Sequence, residues 1–163
     1  MDRSKLEANV AAHPFLIGMS AHHIRLLADC AIRAEFERDH VIFREGETAN
    51  RFYLIEAGKV ALESAADSEK TVTIEIIGDG DLLGWSWLFP PYVWHFSARA
   101  VEPTKAIFFY GTVLRDYCEK DPSLGYELFK RMSEVMTRRL QSARTRLLQA
   151  YAGEVGGAAA GRP

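Results

Sequence analysis

The sequence predicts a mainly β fold, an antiparallel barrel or sandwich, with flanking helices and a long C-terminal helix. Between His40 and Tyr110, short apolar runs alternate with polar residues. Gly-, Pro- and Asp-containing turns break them at intervals of about 8–12 residues. After Asp121 the apolar period becomes helical. The chain has 163 residues, 48% apolar and 26% charged, which suits one soluble domain with one hydrophobic core.

The elements follow in order. Leu6 and Val10 suggest a weak first helix, closed by Pro14. Ser20 suits the N-cap of a second helix, carrying Ile24, Leu26, Leu27 and Ala28 and running to about Ile32. Val41 and Phe43 open the β region. The turn Glu45-Gly46-Glu47 leads into the apolar run Phe52-Tyr53-Leu54-Ile55. Ala57-Gly58 turns into Lys59–Glu63, and Ala65–Ser68 turns into Thr71–Ile76, where Val72, Ile74 and Ile76 share one face. Gly78–Asp81 ends that strand. Ser97–Glu102 and Thr104–Tyr110 form two more around Pro103.

Asp121-Pro122-Ser123 is a helix start. Phe129, Met132, Met136, Leu140, Ala143, Leu147 and Tyr151 then recur at spacings of 3 or 4. They predict a helix of about 28 residues, roughly 42 Å long, whose apolar stripe needs a partner. The predicted organisation is a helix-plus-barrel domain over 1–120, a long helix over 121–152 and a flexible Gly/Ala-rich tail over 153–163.

Composition excludes several function classes. Lys and Arg number 20 against 22 Asp and Glu, a formal charge of −2, so there is no global basic field for nucleic acid. Cys30 and Cys118 lie far apart and read as free thiols of a reducing compartment. The N-terminus lacks the pattern of a signal peptide. The longest uncharged run, Leu82–Ala98, contains Gly84, Pro90 and Pro91 and is too short to span a membrane. The expectation is a cytoplasmic protein. With no HExxH and no Ser/His/Asp or Cys/His arrangement, no enzyme, metal site or cofactor is expected. His22 and His23 are neighbours on a helix, where adjacent side chains diverge, and read as surface or cap residues.

The densest signal is Gly80–Ala100. All three tryptophans, Trp85, Trp87 and Trp94, fall here within ten positions, and no formal charge lies between Trp85 and Phe96. A Gly-rich turn can present N–H groups to phosphate, but GxxxxGK[ST] is absent. The segment suits either an aromatic cluster that closes the barrel or a ligand pocket with aromatic walls.

Phe43-Arg44-Glu45-Gly46-Glu47, Phe52-Tyr53-Leu54-Ile55-Glu56-Ala57-Gly58-Lys59-Val60, Gly80-Asp81-Leu82-Leu83-Gly84 and Ser97-Ala98-Arg99-Ala100 occur in this order between helical regions. This arrangement resembles the cyclic-nucleotide-binding domain of the catabolite activator (Crp/Fnr-type) family of bacterial regulators, over about Leu6 to Leu148. The resemblance implies an eight-stranded jelly-roll-like β-barrel and a C-terminal helix that commonly dimerises. Here the dimer residues would be Phe129, Met132, Met136, Leu140, Ala143 and Leu147.

It also implies a nucleotide site. In the family, a Glu following the glycine that matches Gly84 binds the ribose; here that position is Trp85. An Arg further along binds the cyclic phosphate; here the position is Trp94, or His95 with one residue of slack. Neither supplies the guanidinium that charge-assisted binding of a phosphodiester calls for. The resemblance therefore implies a degenerate phosphate-binding cassette. The candidate ligand-binding residues are Gly84, Trp85, Ser86, Trp94, His95, Phe96, Ser97 and Arg99, with Arg99 as a substitute anion partner.

The resulting expectation is a non-enzymatic, stand-alone sensor or regulatory protein. Its effector would be a cyclic nucleotide or an apolar, aromatic small molecule, with cyclic AMP not bound in the usual way. A homodimer would signal through its C-terminal helix to a partner protein. Lys130, Arg131, Arg138, Arg139, Arg144 and Arg146 read as the solvated back of that helix. The sequence ends where the regulators' helix-turn-helix domain would begin, so neither direct DNA binding nor membrane contact is expected. One alternative is a ligand-free scaffold or assembly subunit, its pocket filled for good by Trp85, Trp87 and Trp94. Another is a Crp/Fnr-type transcription regulator lacking its own DNA-binding domain.

Overall fold

Among the described residues the chain forms eight strands and four helices. The computed structural model describes residues 3–159, with side-chain burial for 3–156. The chain order is α1 (Arg3–Ala12), α2 (Ala21–Cys30), β1 (Ile32–Phe36), β2 (Val41–Phe43), β3 (Arg51–Ala57), β4 (Val60–Ala65), β5 (Thr71–Ile77) and β6 (Leu82–Leu83). Then come β7 (Ser97–Ala100), β8 (Thr104–Tyr110), α3 (Gly111–Lys120) and α4 (Pro122–Ala159). The chain divides into two units at Gly125/Tyr126.

In the first unit the strands form two four-stranded antiparallel sheets, ordered β1-β8-β3-β6 and β2-β7-β4-β5. The interior between them is built from Tyr53, Ile55, Leu83, Ala106 and Phe108 on one sheet and Phe43, Val60, Leu62, Ile77 and Ala98 on the other. Along β3, Phe52, Tyr53, Leu54 and Ile55 are all buried. Tyr53 and Ile55 face the interior. On the opposite face the Phe52 ring meets Phe15 at 5.6 Å, Trp87 at 5.7 Å and Phe109 at 5.9 Å. A strand covered on both sides reads as a continuous apolar run, as this one does.

Several elements differ from the sequence reading. The second helix ends at Cys30. After Ala31 the chain enters β1, whose register on β8 runs from Ile32↔Phe108 to Phe36↔Thr104. Helix α3 occupies a segment with no predicted element. Val72, Ile74 and Ile76 do share a face, but it is the exposed one. Ile77, of opposite parity, is the β5 residue in the interior cluster. The predicted boundary at residue 152 falls inside α4, which runs 38 residues. Residues 160–163 of the expected tail lie outside the described residues.

In the second unit α4 is a single helix. Its own side chains stitch it locally through Ser133 Oγ to the Phe129 carbonyl at 2.8 Å, and Thr137 Oγ1 to the Ser133 carbonyl at 2.8 Å. Among the described residues, no helix is long and apolar enough to cross a membrane.

His13 ties the N-terminal segment to β3. Its Nε2 donates to the Ile55 carbonyl at 2.9 Å, and its Nδ1 accepts from the Phe15 N–H at 3.2 Å. This pairing selects the Nε2–H tautomer. Burial pushes the His13 pKa down, against the opposing influence of the Ile55 bond and of the Glu56 and Asp81 charges. The folded protein thus holds His13 neutral, while the unfolded chain takes up a proton near pH 6.5. The stability from neutral His13 is complete above that value and is lost as the pH falls through the lower folded value. Urea midpoints should therefore drop between pH 7.5 and pH 5, and His13→Gln, which cannot titrate, should show a smaller drop; equal drops would contradict this role.

Candidate functional site

The loop between β6 and β7 begins at Gly84, at φ 89°. A Cβ there would stand 2.6 Å from two ring carbons of Trp94. Only glycine combines this left-handed conformation with so close an approach of an indole. The loop then turns through a Leu88 N–H bond to the Trp85 carbonyl at 3.1 Å and a cis Pro90-Pro91 peptide.

Beyond that turn, residues 92–94 run alongside 46–49. Ala49 N–H donates to the Tyr92 carbonyl at 2.7 Å, Trp94 N–H to the Glu47 carbonyl at 2.9 Å, and Gly46 N–H to the Trp94 carbonyl at 2.8 Å. These bonds fix the position from which the Trp94 side chain departs. Its indole is 3% exposed and lies on Phe43, with ring centroids 3.8 Å apart and planes 9° apart. Phe96 stands 5.9 Å from Phe43 and 6.0 Å from Trp85. Burying an indole removes about 150–250 Å² from water, a gross stabilisation of about 4–6 kcal/mol.

Of the predicted site residues, Gly84, Trp85, Trp94 and Phe96 come together at the interior. Ser86 is buried and His95 is exposed. Ser97 and Arg99 face outward on β7, while Ala98 and Ala100 face in. The Ser97 hydroxyl accepts the Glu45 N–H at 2.9 Å. Arg99 binds Glu63 through Nε at 2.8 Å and Asp39 through Nη1 at 3.1 Å. The hydrogen bond to Glu63, then its charge and that of Asp39, hold the Arg99 guanidinium more firmly protonated than usual. Arg99 is thus engaged with carboxylates on the outer face and does not reach the interior as an anion partner. Along α4, Phe129, Leu140, Ala143 and Leu147 are exposed, Met136 is half-buried and Met132 is buried.

Arg115 was not singled out from the sequence. It lies on α3, donates Nη1 to the Trp87 carbonyl and stands 4.2 Å over the Tyr92 ring. Trp87 packs against Gly111, where a Cβ would stand 2.7 Å from the Trp87 Cβ. The first helical turn of α3 and Arg115 therefore clamp the loop. The contacts join residues far apart in sequence, so no local pattern announces them.

Residues 33–121, more than half of the chain, match the family described as "Cyclic nucleotide-binding domain". The chain belongs to this family. Among curated proteins it is 28% identical over 113 residues to the "CRP-like cAMP-activated global transcriptional regulator" of Mycobacterium tuberculosis, covering 69% of this chain and 49% of that protein. The chain thus spans about half the length of the curated relatives it matches. Among solved structures, a cyclic nucleotide-binding domain from Methylobacillus flagellatus aligns with a TM-score of 0.79 at 21% identity, covering 90% of this chain and 84% of that one. The regulatory subunit of a cAMP-independent protein kinase A from Trypanosoma brucei, in a triply substituted form bound to cAMP, aligns with a TM-score of 0.73 at 20% identity, covering 89% and 51%. Both likenesses show the family's fold: a two-sheet antiparallel sandwich with flanking helices and a long C-terminal helix.

The contact between Gly84 and Trp94 makes a measurable prediction. Gly84→Ala should cost about 2–4 kcal/mol, from backbone strain and from collision with the indole. In a Trp94→Leu background the same substitution should cost at least about 1 kcal/mol less, because the collision is gone. Denaturant unfolding of the four proteins checks this, and equal costs in both backgrounds would refute it.

Proposed function

We propose that the chain is a non-enzymatic regulatory module with an altered, aromatic pocket, which does not take up cyclic AMP through the family's ionic contacts. The observation that carries this is the Trp94 indole, stacked on Phe43 and pressed against Gly84. It stands where the family resemblance places the phosphate-binding arginine. Residues 85–96 contribute no formal charge, and Arg99 is engaged on the outer face. A cyclic phosphodiester entering here would meet aromatic faces at the position of the family's arginine, and the Arg51 guanidinium is stacked over the Phe108 and Tyr110 rings. The Trypanosoma relative supports the same logic. It is named cAMP-independent, and one of the three substitutions in its cAMP-bound form introduces an arginine. An effector compatible with this interior is flat and apolar, able to replace the indole on Phe43.

Titration of tryptophan emission with cyclic AMP, cyclic GMP and a neutral aromatic such as indole tests the reading. The cyclic nucleotides should give no saturable change below about 1 mM, a binding free energy weaker than about −4 kcal/mol. Saturation by cyclic AMP at micromolar concentration would overturn the proposal. A saturable response to indole supports the altered pocket. A flat response to all three favours the scaffold reading, which the near-complete burial of Trp94 also supports.

The output would pass through α4 as a homodimer helix, since Phe129 is 52% exposed and Leu140 and Leu147 are each 71% exposed. Sedimentation at micromolar concentration should show a dimer, and Leu140→Glu combined with Leu147→Glu should give a monomer; a monomeric unsubstituted chain would remove this output.

A further inference from the structure

His22 and His23 are adjacent on α2, yet both rings turn toward the carboxylate of Asp121, the residue between α3 and α4. His23 Nε2 lies 3.1 Å from Asp121 Oδ2, and His22 Nε2 lies 3.6 Å from the same oxygen. One ligand atom from each residue falls within 4.8 Å of the other two. Adjacent helical side chains diverge at Cβ, but the imidazoles are long enough to reach back to a third residue seated opposite them. The ring centroids are 5.5 Å apart.

The His23–Asp121 separation is a hydrogen bond, and both separations are also compatible with shared coordination of a metal. With metal–ligand bonds of about 2.0–2.1 Å, the ligand atoms of a tetrahedral site stand about 3.3 Å apart. The separations of 3.1 and 3.6 Å bracket that edge. The carboxylate is already aimed, because its Oδ1 accepts the Leu124 N–H at 3.3 Å while Oδ2 faces the histidines. Outer hydrogen bonds of this kind orient metal ligands. The His23 side chain is 9% exposed, whereas that of His22 is 65% exposed, and the third edge, between the two imidazoles, lies within 4.8 Å. Two imidazoles and a carboxylate leave at least one coordination position for water, and imidazole nitrogen suits zinc and its neighbours in the first transition row.

We propose that His22, His23 and Asp121 form a solvent-accessible site for a divalent transition metal, zinc foremost, at the root of α4. Asp121 directly precedes α4, and its carboxylate caps the helix through Leu124. A metal bound here would lock α2 to the start of that helix. The site is independent of the aromatic interior, so it stands or falls separately from the pocket reading.

The test uses the full chain, free of any affinity tag and stripped with a chelator. Zn²⁺ titrated by calorimetry should bind one equivalent with micromolar affinity. Co²⁺ should give the visible absorption of a low-symmetry N/O site without a thiolate charge-transfer band. His22→Gln should weaken Zn²⁺ at least tenfold while leaving the metal-free melting temperature unchanged, because its side chain is largely exposed. Asp121→Asn should weaken it similarly. Zn²⁺ should raise the melting temperature of the unsubstituted chain and not that of His22→Gln. The proposal is overturned by no saturable Zn²⁺ binding below about 100 µM, by undiminished binding in His22→Gln, or by a thiolate band placing the ion on Cys118 or Cys30.

Discussion

The stack of Trp94 on Phe43, at 3.8 Å and nearly parallel, sits where the two sheets face each other. Phe43 belongs to one sheet, and Tyr53, 6.3 Å away, to the other; Tyr53 in turn meets Phe108 at 5.8 Å and Phe36 at 6.1 Å. The indole therefore completes an aromatic chain that spans the sandwich. Two backbone features make the stack possible. Gly84 yields its side-chain volume, and the bonds between 92–94 and 46–49 point Trp94 inward. Neither feature has another evident task, so the loop conformation is organised around this one side chain.

On the other face of the β1-β8-β3-β6 sheet, where Phe52 packs on Phe15, Trp87 and Phe109, polar groups add further ties. His13 pins the N-terminal segment to the Ile55 carbonyl. Arg115 pins the loop to α3 through the Trp87 carbonyl and the Tyr92 ring. The chain from α3 then runs directly into Asp121, which accepts the Leu124 N–H at the start of α4. A physical connection thus runs from the aromatic loop, through Arg115 and α3, to the residue beside His22 and His23.

Much of this was legible in sequence. Apart from the two-residue β6, the strands from Val41 to Tyr110 showed as alternating or apolar runs, Asp121-Pro122 marked the start of α4, and the clustered tryptophans marked the loop. The misses have physical causes. β1 is short and half-exposed, and it becomes a strand only by pairing with β8, some seventy residues later in the chain. α3 buries little more than Gly111 and Leu114, too few residues to show a period. The apolar side of β5 is exposed, as is most of this edge strand, of whose residues Ile77 alone is buried. Arg99 looked available because its partners, Glu63 and Asp39, are distant in sequence. Likewise, the helical divergence of His22 and His23 held at Cβ and failed at the ring nitrogens, where Asp121 collects both.

The chemistry of the interior also decides what kind of effector is compatible with it. Moving a phosphodiester anion out of water costs several kcal/mol unless a cation and hydrogen-bond donors replace its hydration. Most residues facing this space supply aromatic faces and aliphatic side chains; of the strand guanidiniums, Arg99 already neutralises two carboxylates outside, and Arg51 lies over the Phe108 and Tyr110 rings. Drawing Arg99 inward would leave Glu63 and Asp39 without their guanidinium partner, so the anion would carry that cost as well. A neutral flat molecule faces neither cost. On the proposed reading it would exchange one stack on Phe43 for another, its binding free energy limited chiefly by relocating the Trp94 indole. On the proposed reading, it is charge that would separate a cyclic nucleotide from a ligand that this interior could accept.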